Sequence, residues 1–375
     1  MTPETTIEIA IGANLRKSPY FEATLRAGAK SFSVYNHMLI PGHFGDPDGE
    51  YRRLMTGVAM WDVAAQRQVE ITGPDAARLV QYLTPRNLTG TRVGQGRYVP
   101  ICDHDGYLIN DPVLLKLAED RFWLSVADSD IHLWAQAIAK ERGWQAEVSE
   151  PDVSPLAIQG PKAEAVTAAL FGDWVRELRH FGFRDTTLDG IPLVLARSGW
   201  SKQGGYELYL TDGSRGEELW DRVAAAGAPF GIGPGAPNDI ERVESGLISY
   251  GSDMRRQVIP ADPFEMGLGG LVDLAREDDF VGRAALQRIA ARGAARRRVG
   301  FWVEGTPPSP GHPVPVLLAG QTVGVLSELV FSPRLGRSIG LGLLRADLED
   351  ATTGLSAALP GRAAPLQPTT LPFRP

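Results

Sequence analysis

The segment that decides the fold of this chain is Arg197-Ser198-Gly199-Trp200-Ser201-Lys202-Gln203-Gly204-Gly205-Tyr206-Glu207. It follows a strand-like run, Leu193-Val194-Leu195-Ala196. Because glycines at the end of a strand let the backbone approach a ligand closely, the two adjacent glycines indicate a binding turn. A carboxylate just beyond the turn, Glu207, suits a ring that offers two parallel N–H donors, since its two oxygens can accept both. The alternative is a tight hairpin with a surface glutamate.

A short internal repeat lies on either side of the middle of the chain. Residues 69–76 echo residues 156–163, and each copy has an alternating strand, a Gly-Pro turn and the start of a helix. Pro74 and Pro161 suit the first helical position, where the N–H would be unpaired anyway. The first helix shows the spacing i, i+3, i+4, i+7 and is predicted to stop at Pro85; its apolar residues are Ala76, Leu79, Val80 and Leu83. The repeat predicts two related α+β halves.

Between the halves, residues 111–117 and 122–126 are predicted to be strands joined by a turn. Asp128 or Asp130 then caps an amphipathic helix that begins near Ile131.

A further helix is expected from Asn238 or Asp239, either of which can cap it, to Gly251, which can end it. Its apolar stripe turns Arg242 away from the core, so we expect Arg242 to reach solvent or a ligand.

The character of the sequence changes after about Gly270. A helix over residues 282–291 leads into the basic run Arg296-Arg297-Arg298, which is interpreted as a solvated entrance to a strand rather than a nucleic-acid patch. Short alternating runs with Gly and Pro between them follow, and they indicate a small antiparallel barrel. From Leu355 onward the Pro- and Ala-rich sequence is predicted to be irregular. The run at residues 231–235 is interpreted as a plain turn.

Composition narrows the class of protein. The chain has 375 residues, 43% of them hydrophobic, and a net charge of −7, which argues against a protein that binds the nucleic-acid backbone. Residues 1–21 carry Glu4 and Glu8 and no apolar core of a signal peptide, and no apolar run is long enough for a membrane span. We therefore expect a soluble cytoplasmic protein that does not act at a membrane.

No metal site is expected from the sequence. The single cysteine, Cys102, rules out an internal disulfide and a thiolate cluster. The run Cys102-Asp103-His104-Asp105 cannot place all four side chains on one ion, because the residues are consecutive in a turn.

Further segments accompany the glycine-containing stretch in a fixed order, and together they resemble the aminomethyltransferase (glycine-cleavage T-protein) family of tetrahydrofolate-dependent enzymes. Within that family they resemble the dimethylsulfoniopropionate demethylases. The segments are Val34-Tyr35-Asn36-His37-Met38-Leu39-Ile40-Pro41, Trp61-Asp62-Val63, Gly106-Tyr107-Leu108-Ile109-Asn110-Asp111-Pro112, Ser154-Pro155-Leu156-Ala157-Ile158-Gln159-Gly160-Pro161, Ile240-Glu241-Arg242-Val243-Glu244-Ser245-Gly246-Leu247 and Tyr250-Gly251-Ser252-Asp253-Met254.

The resemblance implies an α+β fold with three domains in a cloverleaf. Two related, intertwined α+β subdomains over residues 1–275 would form a folate channel, an antiparallel β-barrel would occupy residues 276–365, and residues 366–375 would be a tail. It also implies tetrahydrofolate as the methyl acceptor and a small-molecule methyl donor. A homodimer is compatible with the sequence.

The resemblance assigns roles to single residues. Glu207 matches the family's pterin-binding glutamate, and Asp111 matches the aspartate beside the N5 reaction centre, so we expect Asp111 to be catalytic. Without the resemblance, Asp111 would be a polar residue at a strand start. The remaining residues expected to bind tetrahydrofolate are Tyr98, Ser125, Asp128 and Arg242.

A sulfonium or ammonium donor would need aromatic faces, because such cations bind over aromatic rings. We expect Trp200, Tyr206 and either Tyr35 or Trp123 to line one pocket, and Trp61 to be a core residue. A carboxylate on the donor would need Lys202 or Arg97. His37 is either a hydrogen-bond donor or a core histidine.

The sequence leaves the donor open. The dimethylsulfoniopropionate enzymes carry a Gln-Cys-Tyr-Tyr-like string where this chain has Gln95-Gly96-Arg97-Tyr98, and a shorter segment where it has residues 259–268. The first hypothesis is a demethylase of a sulfonium acid. The alternatives are a demethylase of a methyl ether or N-methyl amine, a non-catalytic folate-binding protein, and a glycine-cleavage T-protein.

Overall fold

The computed structural model describes residues 12–348 and 352–374, so Glu4 and Glu8 lie outside the described residues. Its α-helices are α1 Phe21–Arg26, α2 Pro47–Thr56, α3 Ala76–Leu83, α4 Ile131–Glu141, α5 Ala163–Phe171, α6 Gly216–Gly227, α7 Asp239–Ser245 and α8 Arg283–Arg292. The strands before residue 240 are β1 Ser31–Tyr35, β2 Met38–His43, β3 Ala59–Asp62, β4 Gln68–Thr72, β5 Gln95–Tyr98, β6 Ile101–Cys102, β7 Leu108–Asn110, β8 Val113–Ala118, β9 Arg121–Ser125, β10 Glu147–Ser149, β11 Ser154–Gln159, β12 Phe183–Leu188, β13 Ile191–Ala196, β14 Gly205–Leu210 and β15 Gly233–Gly235. The later strands are β16 Arg296–Val303, β17 Val314–Leu318, β18 Gln321–Ser332, β19 Arg337–Arg345, β20 Leu355–Leu359 and β21 Arg362–Thr369.

The two halves predicted from the repeat are two mainly antiparallel sheets. The first has five strands in the order β10-β4-β9-β8-β5, and α3 and α4 contribute to the core on one of its faces. The second has six strands in the order β12-β13-β14-β11-β3-β15, and α5 and α6 contribute to the core on one of its faces. Each repeat copy supplies one strand and the following helix, β4 with α3 and β11 with α5. Pro74 and Pro161 lie in the turns and not at the first helical position, because the helices begin two residues later, at Ala76 and Ala163.

The faces of the two sheets that lie opposite α3 to α6 meet each other. Side chains alternate along a strand, so Trp123 and Leu115 point away from the helix-covered face on which Leu114 and Leu124 lie. They pack in one buried cluster with Tyr209, Val194 and Ala196 of the second sheet. We call the region between these two facing surfaces the inter-sheet gap.

A β-hairpin reaches toward the gap from outside both sheets. Strands β1 and β2 are joined at Asn36 and His37, whose φ angles of 50° and 59° give the turn a left-handed backbone. Such angles match the twist of a two-residue hairpin, and asparagine tolerates them better than most residues. Asn36 is buried, whereas His37 is exposed and is therefore not a core histidine.

The C-terminal strands form the predicted barrel. It is closed in the order β16-β19-β18-β17-β20-β21, because β21 pairs back onto β16. The prediction of an irregular chain from Leu355 is wrong: β20 and β21 complete the barrel, and β21 runs to Thr369, beyond the expected domain boundary at residue 365. Proline did not prevent this, since Pro365 and Pro368 lie within β21.

Other local predictions need correction. Helix α7 ends at Gly246 in a left-handed conformation and does not reach Gly251. Asn238 caps α7 as expected, but α4 has no side-chain cap: it begins after Asp130, and Asp128 bonds elsewhere. Residues 231–235 are more than a turn, since β15 pairs in parallel with β3.

The basic run at the start of β16 is not free in solvent. Arg296 bonds the Glu265 carboxylate at 2.7 and 2.8 Å, and Arg298 donates to the Gly246 carbonyl at 2.8 Å. The segment at residues 259–268 thus holds the barrel against the N-terminal region through Glu265. No helix within residues 12–348 and 352–374 has the length and apolarity needed to span a membrane.

Candidate active site

Asp111 lies between β7 and β8 at the edge of the inter-sheet gap. Tyr98 donates its hydroxyl to Asp111 Oδ2 at 2.8 Å. Burial raises the pKa of Asp111 to about 7; the hydrogen bond from Tyr98 opposes this shift, and the nearby charge of Asp253 adds to it. The pKa of Tyr98 is itself raised, mainly by burial, so its hydroxyl stays protonated and donates. The pair is a carboxyl group that titrates near neutral pH with a fixed donor on one oxygen.

The asparagine that precedes this aspartate, Asn110, holds it in place. It is fully buried, and its side-chain oxygen accepts the backbone N–H groups of Asp111 at 2.9 Å and of Ala127 at 3.1 Å. Its amide nitrogen donates to the Ala127 carbonyl and the Ser129 hydroxyl. One side chain therefore fixes Asp111 against the loop that follows β9.

The β1–β2 hairpin brings Tyr35 and Asp128 to the same place. The Asn36 backbone N–H donates to Asp128 Oδ1 at 2.7 Å, and the Asn36 amide donates to carbonyls on either side of the gap, those of Ala65 and Val126. Tyr35, the preceding residue, has its pKa raised chiefly by burial and further by Asp111 and Asp128. The hairpin tip thus places a tyrosine beside two carboxyl groups.

Tyr250 and Asp253 also lie beside Asp111. The charge of Asp111 contributes to a raised pKa of Tyr250, after burial as the main cause. Asp253 in turn accepts from Arg242 and from the Ser327 hydroxyl. Tyrosines from three separate segments, Tyr35, Tyr98 and Tyr250, therefore surround one cluster of carboxyl groups.

Glu207 lies on β14, on the second sheet's surface of the gap. It is 5% exposed, and burial raises its pKa. Ser198 and Tyr209 both donate to Oε2, and no described residue donates to Oε1. The carboxylate is therefore held on one side, while Oε1 is available to a ligand donor.

Ser125 connects the two surfaces of the gap. It is at the end of β9, directly opposite Val113, and Tyr98 is also opposite Val113 on the other neighbouring strand. The Ser125 hydroxyl accepts from Gln68 at 3.0 Å, and its proximity to Tyr209, which donates to Glu207, lowers the pKa of Tyr209 against the larger effect of burial. Ser125 and Tyr209 thus bring the sheet that carries Tyr98 close to Glu207.

Tyr206 does not share a site with Glu207. The two residues are adjacent in β14, so their side chains point to opposite faces. Tyr206 packs in the helix-covered core, donates to the Val175 carbonyl at 3.2 Å and is 1% exposed. The prediction that Tyr206 lines an aromatic pocket with the pterin site is wrong for this geometric reason.

The same alternation places Arg97 outside the inter-sheet gap. Tyr98 faces the gap, so its neighbour Arg97 lies on the helix-covered face, opposite Leu114. Its guanidinium donates to Thr91 and Gln95, which are neutral partners. The prediction that Arg97 holds the carboxylate of a donor in the gap is wrong.

The two predicted tryptophans differ in their surroundings. Trp123 is 1% exposed, packs on Tyr209 with 6.2 Å between ring centres and donates to Glu70, so it forms part of the buried contact between the sheets. Trp200 is half-buried and donates to the Ile248 carbonyl, two residues before Tyr250. Trp61 is a core residue, as expected. Of the aromatic residues predicted to contact a cationic methyl donor, Tyr35 and Trp200 remain candidates.

Arg242 does not reach solvent. Its side chain is 0% exposed and pairs with Asp253 at 2.8 Å and with Glu328 of the barrel at 2.9 Å. The barrel strand β18 packs against the side of α7 that carries Arg242, so the side that the sequence pattern predicts to be exposed is covered. Arg242 joins the barrel to the N-terminal region and is not a free cation for an anionic tail, so we remove it from the folate site. Lys202 is exposed.

A polar cleft of about 300 Å³ lies beside the loop of residues 197–204. Glu164, His180, Arg197 and Ser198 are among its lining residues, and neither Glu207 nor Asp111 lines it. The cleft is thus separate from the carboxyl cluster, although it borders the loop that precedes Glu207.

Several residues around Glu207 and Asp111 escaped sequence reasoning: Asn110, Ser198, Tyr209, Tyr250 and Asp253. Tyr209 had a usable signal, since it lies two residues after Glu207 in a strand and must share its face. Asp253 and Tyr250 lie in a segment that contributes to the family resemblance, but no spacing indicates that they lie near Asp111, because the chain around them has little regular structure.

Comparisons with known proteins agree with this architecture. The GCVT N-terminal domain matches residues 20–276, and the glycine cleavage T-protein C-terminal barrel domain matches residues 296–374. The chain is 41% identical to the dimethylsulfoniopropionate demethylase of Ruegeria pomeroyi, over 94% of this chain and 95% of that one. It is 29% identical to an aminomethyltransferase of Streptomyces avermitilis, over 89% and 91% of the two chains.

A solved structure shares the fold. The glycine cleavage system aminomethyltransferase T of Bartonella henselae superposes with a TM-score of 0.82 at 24% identity, over 96% of this chain and 98% of that one. Two related α+β halves with a closed C-terminal barrel, matched by both domains of one family, lead to a single assignment: the chain belongs to the glycine cleavage T-protein family.

Proposed function

We propose that this chain is a tetrahydrofolate-dependent demethylase that moves a methyl group from dimethylsulfoniopropionate, or a closely related sulfonium acid, to N5 of tetrahydrofolate. The observation that carries the proposal is that two buried carboxyl groups, Asp111 and Glu207, lie at the same inter-sheet gap. The identity of 41% to a dimethylsulfoniopropionate demethylase along nearly the whole chain supports the choice of donor.

The residues of the gap fit a folate. A pterin edge needs an acceptor that is already held in place, and Glu207 offers Oε1 while Ser198 and Tyr209 fix Oε2. Ser125, Tyr98 and Asp128 would line the rest of the molecule. Tetrahydrofolate would supply the secondary amine that takes the methyl group.

Asp111 would act as the base. A secondary amine that gains a methyl group must lose its proton, and a carboxyl group with a pKa of about 7 is partly ionised at neutral pH. Tyr98 occupies Oδ2, so Oδ1 would receive the proton. The leaving group, a neutral thioether, would need no proton, so positioning and exclusion of water would account for most of the remaining acceleration.

The surroundings of Asp111 suit a cationic donor. Asp111 and Asp128 offer carboxyl groups here, whereas Asp253 is paired with Arg242, and Tyr35 offers an aromatic ring. Trp200 lies near by, although the guanidinium of Arg242 is already 5.9 Å from its ring centre. We therefore assign the sulfonium to Tyr35 first, with Trp200 as a second contact.

The proposed function is tested by incubating the protein with tetrahydrofolate and a panel of methyl donors. The panel includes dimethylsulfoniopropionate, a methyl ether and an N-methyl amine, and 5-methyltetrahydrofolate is assayed by chromatography. We expect product with the sulfonium and little with the others. Product from the ether or the amine alone would overturn the choice of donor. If no donor gave 5-methyltetrahydrofolate, the chain would be a folate-binding protein without this activity.

Tyr35→Leu tests the aromatic contact. We expect KM for the sulfonium donor to rise by an amount equivalent to about 0.5–2 kcal/mol, because only a cation gains from the ring. Tyr35→Phe keeps the ring and should retain KM. Equal KM values in steady-state kinetics of the wild type and Tyr35→Leu would remove Tyr35 from the donor site.

Arg97→Met and Lys202→Met separate the two candidate partners of the donor's carboxylate. Lys202 is exposed on the loop before Glu207, so its loss should raise KM only by the factor that corresponds to about 1 kcal/mol or less, as for a solvent-exposed ion pair. Arg97→Met should leave KM unchanged, since Arg97 faces the helices. A raised KM in Arg97→Met alone would reverse this assignment.

A further inference from the structure

Gln159, the last residue of β11, occupies an unusual place. Its side chain is fully buried, and it lies directly opposite Gly205, the first residue of β14. Since Ile158 packs into the helix-covered core, Gln159 points to the other face, which is the face of Glu207.

The amide group of Gln159 fills the space that side chains at two glycines would take. A Cβ atom at Gly199 would lie 1.9 Å from Gln159 Nε2, and one at Gly205 would lie 2.2 Å from it. Gly199 within the loop and Gly205 just after it therefore leave room for this one side chain. Gly204, by contrast, has no neighbour within 4 Å of a Cβ, and its φ of +81° alone favours glycine.

Gln159 also uses both ends of its amide on the loop of residues 197–204. Nε2 donates to the Ser198 carbonyl at 3.2 Å, and Oε1 accepts from the Ser201 hydroxyl at 2.8 Å. The Ser198 hydroxyl in turn donates to Glu207. Glu241 holds the other end of the loop, accepting from Lys202 and Gln203.

The internal repeat shows that the fold does not require a glutamine here. The equivalent position in the first half is Thr72, which also ends a strand before a Gly-Pro turn. In the second half, a loop of residues 197–204 precedes the strand of Glu207, whereas the matching connection in the first half, between β8 and β9, has two residues. The longer side chain occurs in the half that has the longer loop.

We propose that Gln159 is a positioning residue that sets the loop of residues 197–204, and through Ser198 the carboxylate of Glu207, for binding of folate and the methyl donor. The inference rests on the proposed function, because it assigns a purpose to the loop. Gln159 does not touch the reacting atoms.

Loop order provides a test that needs no ligand. Gln159→Met keeps the bulk and loses both hydrogen bonds, so amide hydrogen exchange across residues 197–204 should speed up by about tenfold, as expected for two lost buried hydrogen bonds. Thr72→Val, at the equivalent position of the repeat, is the matched control and should leave this exchange unchanged. Unchanged exchange in Gln159→Met overturns the proposal.

Kinetics test the consequence for ligands. Gln159→Met should weaken tetrahydrofolate in calorimetry and raise KM for the sulfonium donor by about tenfold, with a smaller change in kcat, because binding geometry is what the loop sets. Faster exchange with unchanged Kd and KM would make the contact merely structural. If Gln159→Met shows faster exchange but the wild type transfers no methyl group, the proposed function is wrong and the positioning role of Gln159 still holds.

Two further variants probe the contact itself. Gly205→Ala should lower the melting temperature through its clash with Gln159, and it should lower it less in a Gln159→Ala background, since the added methyl group then enters vacated space. An equal drop in both backgrounds would place the clash elsewhere.

In Gln159→Glu, the protonated acid can donate to the Ser198 carbonyl and accept from Ser201, as the amide does, whereas the ionised form cannot donate. Its kcat/KM relative to wild type should therefore rise as pH falls. Glu164, His180 and Arg197, which line the adjoining cleft, are common to both proteins, so the ratio removes their titration. A ratio that does not vary with pH contradicts the donor role.

Discussion

Asp111→Asn is expected to lower kcat by about a hundredfold or more, the scale of a lost general base, while the Kd for tetrahydrofolate changes little. The reason is geometric: the substituted amide would still accept the Tyr98 hydroxyl but would not take a proton. Stopped-flow turnover and calorimetry on the same preparation measure the two quantities. Normal turnover would make Asp111 a structural residue.

The pH dependence gives a second readout of the same variant. A base must be ionised, so the wild-type kcat should rise with pH through about 7, the pKa to which burial raises Asp111. The variant should lack this limb. Asp62→Asn is the matched control: Asp62 is also buried, with its pKa raised to about 6, but it lies opposite Leu156, on the helix-covered face.

The stability of the folded wild-type protein should fall as pH rises through the range in which kcat increases. A carboxyl group whose pKa is raised from 3.8 to about 7 on folding favours the folded state below pH 3.8, and this advantage is lost as pH rises to about 7. Asp111→Asn removes that loss. Its melting temperature relative to wild type should therefore be higher at pH 8 than at pH 4, and a constant difference would show that Asp111 is not perturbed.

Glu207→Gln is expected to weaken tetrahydrofolate by about 1.5–3 kcal/mol, the contribution of a hydrogen bond to a charged group. Glutamine turns one of two acceptors into a donor, so either the ligand or the pair Ser198 and Tyr209 loses a partner. Isothermal calorimetry measures the loss directly.

Asp62→Asn controls for the general effect of removing a buried carboxylate. Asp62 accepts from the Ser18 hydroxyl and the Ala64 N–H and lies on the helix-covered face of the second sheet. Its variant should bind tetrahydrofolate as the wild type does. If the two variants bound equally tightly, Glu207 would have no role in holding the pterin.

Strand periodicity made much of the architecture predictable. The repeat at residues 69–76 and 156–163 identified both sheets, and the glycine-containing segment placed Glu207 on a strand that follows a turn. The errors at Arg97 and Tyr206 came from treating neighbours in sequence as neighbours in space. Each is adjacent to a true gap residue, and strand alternation sends it to the opposite face.

Other features depend on tertiary contacts that local sequence does not specify. The burial of Arg242 results from the barrel residue Glu328, which is far away in the chain. The strands after Leu355 were hidden because prolines and alanines carry a weak strand signal, and ring closure against β16 stabilises them. The pKa of Asp111 likewise follows from burial and from Asp253, neither of which spacing reveals.

The most direct test of the account is a single turnover with ¹³C-methyl dimethylsulfoniopropionate and tetrahydrofolate, followed by NMR. The account predicts that one labelled methyl group moves to N5, that the donor becomes a thioether acid, and that the rate rises through about pH 7 in wild type and is nearly abolished in Asp111→Asn. Label that stays on the donor, or that appears as methanol while the folate remains unmethylated, would contradict it.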